Sequence, residues 1–137
     1  MSARRVVITG LGIVCPVGNS VKDAWHSIVN GKSGVGLIDA FDASDLSTKI
    51  CAAVKNFDPT LVMTSKEVRR TDAFIQAAAE ASRQAVEDAG LEVTEANSGR
   101  VGVAIGAGMG GLPYIEKNHS ALVDMGPRKV SPFFIPG

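Results

Sequence analysis

The stretch Arg100–Gly126, RVGVAIGAGMGGLPYIEKNHSALVDMG, constrains this chain more than any other. The apolar run from Val101 to Ile105 reads as a strand buried on both faces. A glycine loop, Gly106 to Gly111, follows it. Then comes an apolar stripe at helical spacing: Leu112, Ile115, Leu122 and Met125. Pro113 stands near the first turn, where its missing N–H is harmless, and Gly126-Pro127 stops the helix. Strand, glycine loop and helix in that order specify an α/β protein, with the preceding segments as layers around this unit.

Gly106, Gly108 and Gly111 spell GxGxxG between strand and helix, where a dinucleotide pyrophosphate would sit. The pattern alone is weak support for an NAD(P)-binding oxidoreductase. Glycine serves sharp turns and close backbone approach equally well. The acid owed at the end of a following strand is also missing, because Asp124 falls inside the helix. Near the start, Val6-Val7-Ile8-Thr9 is a β-branched run that reads as another buried strand, hence a parallel sheet flanked by helices. After Gly10-Leu-Gly12 a first-strand fingerprint would need glycine at position 15, where Cys15 stands before Pro16.

Composition narrows the function classes. The chain has 137 residues, 45% of them hydrophobic, which suits one domain with a packed core. Fourteen cationic side chains balance 14 acidic ones, so net charge argues for neither nucleic acid nor a membrane surface. Cys15 and Cys51 have no metal-ligand spacing, and no metal site is expected. Asp39, Asp42 and Asp45 read as solvated turn residues. Two cysteines and no leader-like start fit a reduced, cytoplasmic setting.

The other elements follow from local rules. Ser20 to Asn30 is an amphipathic helix with Ser20 as N-cap and Asp23 in its first turn. Val21, Ala24, Trp25 and Ile28 form its inward face, with Trp25 expected in the core and His26 in solvent. Residues 35–38 and 50–54 read as short strands. Thr64-Ser-Lys-Glu67 is a capping box. Asp72 to Ala89 is alanine-rich, so a helix in a tight, largely buried position ending at Gly90. Three prolines among the last residues, through Pro136-Gly137, forbid a helix there.

Taken together, RRVVITGLGIVCPVGN, GKSGVGLIDAFD, RRTDAF, VGVAIGAGMGGL and GPRKVSPFFIPG resemble the β-ketoacyl-acyl-carrier-protein synthases, and most of all the synthase II type of fatty acid elongation. The resemblance runs in register over nearly the whole chain. It implies a layered thiolase-like fold, of which residues 1–137 would be part of the N-terminal half. It implies a homodimeric, cytoplasmic acyltransferase that performs decarboxylative Claisen condensation with malonyl-carrier protein. It implies no bound cofactor, the phosphopantetheine arm arriving on acyl carrier protein. The nucleophilic cysteine and active-site histidines are expected beyond Gly137. Cys15, Cys51, His26 and His119 do not match their positions, so the chain by itself is expected to be inactive. By the same resemblance Met109 and Phe134 belong to the acyl pocket, Phe134 reaching it across a dimer interface. Lys66, Arg69 and Arg70, with Arg128 and Lys129 as a second pair, match a surface that receives the carrier protein. A non-catalytic module that docks the carrier or self-associates is the alternative.

Overall fold

The computed structural model describes residues 4–135, so the expectation for Pro136-Gly137 lies outside the described residues. Among the described residues the α-helices and strands are α1 (Val21–Val29), β1 (Gly36–Leu37), β2 (Ile50–Cys51), α2 (Ser65–Val68), α3 (Ala73–Asp88) and α4 (Leu112–Met125). They fall into two compact units. One takes in the residues up to Asp58 together with Ala81–Leu91, the other Pro59–Glu80 with the residues from Glu92 onward.

Helix ends follow their caps. The Ser20 side chain accepts from the Asp23 amide, and Asn30 closes α1. Thr64 and Glu67 form the reciprocal capping box of α2. Pro113 lies in the first turn of α4 and Gly126 ends it. The last described residues hold a short 3-10 turn, Pro127–Lys129, and no α-helix.

The expected parallel sheet is not formed among the described residues. The ladder present is antiparallel, Gly36 opposite Cys51 and Leu37 opposite Ile50. Neither Val6–Thr9 nor Val101–Ile105 enters a ladder. Their side chains are open rather than buried: Val6 is 87% exposed, Ile8 82% and Val103 84%. β-branched runs carry the propensity for a strand, but a strand exists only where a neighbouring backbone supplies hydrogen bonds.

In the first unit, side chains of α3 bond the segment that follows Val6–Thr9. The Leu11 amide donates to Asp88 Oδ2 at 2.9 Å and the Ile13 amide to Gln84 Oε1 at 3.2 Å. Gln84 Nε2 donates onward to the Asn19 carbonyl at 2.7 Å. A Cβ on Gly10 or Gly12 would strike the α3 backbone at Ala85 or Ala81. The failed dinucleotide fingerprint is therefore a place where two backbones touch. The alanines serve that approach, although α3 is mostly half-buried, with Glu80 its one fully buried residue among those described. Trp25 likewise departs from expectation. It is 64% exposed, and only Ala24 of α1 is buried. The apolar face of α1 leans over Leu11–Ile13 and leaves a shallow cavity of ≈ 180 Å³ there. Periodicity identifies which face is apolar, not how much structure covers it.

Candidate functional site

The second unit holds every candidate site residue. The glycine loop is seated on the start of α3. A Cβ on Gly110 would lie 2.7 Å from the Phe74 ring, so a larger residue there must displace that ring. Gly111 N-caps α4 in the left-handed region, at φ 71°. Met109, one residue earlier, is 76% exposed. Its thioether is free to adapt to an apolar partner.

Phe134 is placed differently. It is half-buried and walls a cavity of ≈ 200 Å³ with Ile115, Asn118, His119, Leu122 and Val130. The cavity lies between α4 and the segment that returns along it. The structure does not join Met109 to it: the loop and the cavity are separate features of the unit.

A polar cluster pins the Phe134 segment. Asn118 is 5% exposed. Its Nδ2 donates to the Tyr114 carbonyl one turn back at 2.8 Å, and its Oδ1 accepts from the Ser131 amide at 2.7 Å. The Ser131 hydroxyl shares a 2.9 Å hydrogen bond with the Tyr114 phenol and accepts from the Phe133 amide at 3.1 Å. The Phe134 amide donates to the Ser131 carbonyl at 3.0 Å. Sequence reading missed these three residues. A signal was present: Asn118 interrupts the Ile115–Leu122 stripe at i+3, where an apolar residue is due.

The cations divide. Lys66 and Arg69, on α2 and at its end, are exposed, as are Arg128 and Lys129 on the 3-10 turn after α4. Arg70 is half-buried, with its guanidinium 4.2 Å from the Phe133 ring centroid. That contact ties the end of α2 to the segment just after Lys129. One member of the expected receiving surface is thus held in place by an aromatic face. Within α2, the Thr64 hydroxyl first and its amide second hold the Glu67 carboxyl below the usual glutamate range.

Cys15 Sγ donates to the Gly18 carbonyl at 3.3 Å within a tight turn, and Cys51 is an exposed residue of β2.

This chain belongs to the β-ketoacyl synthase, N-terminal domain family, whose model it matches over residues 3–137. It is 60% identical over 137 residues to 3-oxoacyl-[acyl-carrier-protein] synthase 2 of Coxiella burnetii (strain RSA 493 / Nine Mile phase I), covering 100% of this chain and 33% of that protein. The synthase 2 of Vibrio harveyi is 54% identical over 136 residues, 99% of this chain and 33% of that one. Among solved structures, the ishigamide ketosynthase/chain length factor superposes with a TM-score of 0.76 at 25% identity, over 97% of this chain and 33% of that one. The chain spans about a third of the length of the curated relatives it matches.

Proposed function

We propose that this chain is the N-terminal portion of a 3-oxoacyl-acyl-carrier-protein synthase that elongates acyl chains in fatty acid biosynthesis. The observation that carries the reading is 60% identity along the entire chain to a protein of that name. The complete reaction has two halves. An enzyme thiolate attacks the acyl thioester of the carrier protein and displaces the carrier's thiol. Malonyl-carrier protein then loses carbon dioxide, and the resulting carbanion attacks the acyl-enzyme thioester and expels the enzyme thiolate.

In this reading the reactive cysteine and its histidines belong to polypeptide beyond residue 137. In the same reading Cys15, in its turn, and Cys51, in β2, are not assigned the role of nucleophile. Residues 4–135 supply substrate handling. Phe134 and Met109 line the acyl pocket, and a partner subunit of a homodimer completes it. The open apolar runs at Val6–Ile8 and Val103–Ile105 then find strand neighbours in a thiolase-like, parallel-rich sheet, as their composition requires. Lys66, Arg69, Arg128 and Lys129, with Arg70 braced on Phe133, receive acyl carrier protein. The phosphopantetheine arm comes with that partner, and no resident cofactor is required. The setting is cytoplasmic. No helix among the described residues is long and apolar enough to cross a membrane.

Within the glycine loop, the Phe74 ring accounts for Gly110 and the left-handed backbone for Gly111. The test of the reading is a hybrid chain. This domain replaces the corresponding third of the Coxiella burnetii synthase, and 3-oxoacyl-carrier protein is measured from acyl- and malonyl-carrier protein. Product from the hybrid and none from residues 1–137 alone is expected. A folded hybrid that makes none overturns the reading.

A further inference from the structure

We propose that Asn118, Tyr114 and Ser131 are positioning residues that set which acyl lengths the pocket accepts, by fixing Phe134. This rests on the reading of Phe134 as an acyl-pocket wall and adds the device that holds the wall.

Phe134 has one main-chain tether within its own turn, the bond from its amide to the Ser131 carbonyl. Ser131 is therefore the point through which the turn is placed. Three bonds converge on it: Asn118 Oδ1 on its amide, Tyr114 on its hydroxyl, and its hydroxyl on the Phe133 amide. Two of these come from α4, one turn apart, and α4 also supplies Ile115 and Leu122 to the cavity that Phe134 walls. The helix thus carries the clamp that sets where the Phe134 ring lies relative to Ile115 and Leu122.

The chemistry of the clamp suits positioning rather than plain packing. Asn118 is nearly buried, and both ends of its amide are used, so it has one satisfied orientation. A buried amide bonded at both ends rigidifies its surroundings, and losing one bond leaves a polar group stranded. An apolar residue at 118 would pack against Ile115 and Leu122 but leave the Ser131 amide without its partner. The wall would then be free to shift by the width of a methylene, the increment by which an acyl pocket discriminates substrates.

The test uses a complete synthase in which this chain is the N-terminal domain, assayed against a ladder of acyl-carrier proteins. Phe134→Ala enlarges the cavity, and the ratio of kcat/KM for long over medium acyl chains rises about tenfold. Tyr114→Phe and Asn118→Ala move that ratio in the same direction by a smaller factor. Ser131→Thr, which keeps the hydroxyl, leaves it near the parent value. A merely structural role lowers all substrates in proportion and leaves the ratio alone. If Phe134→Ala shifts the ratio and the well-folded Tyr114→Phe does not, the positioning claim falls and the pocket reading stands. If Phe134→Ala itself leaves the ratio unmoved, the pocket reading falls and takes this inference with it.

Discussion

Two residues show how local chemistry is written into this chain. Gly110 faces the Phe74 ring at a distance no Cβ tolerates. Gly110→Ala pushes on a ring at the end of a side chain, so it should destabilise by about 1 kcal/mol, the lower end of the overpacking range. A denaturant melt checks it, and an unchanged midpoint contradicts the seating of the loop. Glu67 makes a pH prediction. Its folded-state pKa is lowered by the Thr64 hydroxyl and amide. The carboxylate's contribution is thus fully present above the unfolded value, about 4.3, and is lost as pH falls through the lower folded value. An NMR titration of the Glu67 carboxyl and the Thr64 amide should give a common midpoint below that unfolded value. A midpoint at or above it means the capping box is not populated in solution.

At the scale of elements, the helices and the short strands within 35–38 and 50–54 were legible, whereas the fate of the two long β-branched runs was not, for a physical reason. Ser20, Thr64, Pro113 and Gly126 mark helix ends because a cap acts within a few residues of the backbone it satisfies. The information is local and the chain carries all of it. A strand needs a partner that may be remote in sequence or on other polypeptide. Val6–Thr9 and Val101–Ile105 have strand composition without a ladder among the described residues. Trp25 fails in the same way: α1 shows an apolar face, but nothing in its own sequence states what covers that face. The site divides likewise. Asn118 was recoverable as a polar interruption of an apolar stripe, whereas the stacking of Arg70 on Phe133 joins residues too far apart for any spacing rule. The approach of Gly12 to α3 gives an element-scale prediction. Gly12→Ala pushes against main chain rather than a yielding side chain, so its cost should sit at or above the upper end of about 1–3 kcal/mol. Partial proteolysis should then cut first between Gly10 and Asn19, which α3 no longer holds. Unaltered cleavage would argue against that packing.

For the whole molecule, the exposed runs around Val6, Ile8 and Val103 are surfaces that water covers poorly. The chain in isolation should assemble beyond a monomer, and sedimentation at several concentrations will read this. A single monomeric species throughout contradicts it. The central claim is that these residues provide the receiving surface of a condensing enzyme whose reactive thiol lies elsewhere. The most direct measurement is a titration of acyl carrier protein into this chain at low and high ionic strength, beside a variant with Lys66, Arg69, Arg128 and Lys129 changed to glutamate. The account predicts binding at low salt that weakens steeply as salt rises, because encounter between opposite charges is screened, and that disappears in the variant. Absent binding, or binding indifferent to both salt and the substitutions, would contradict it.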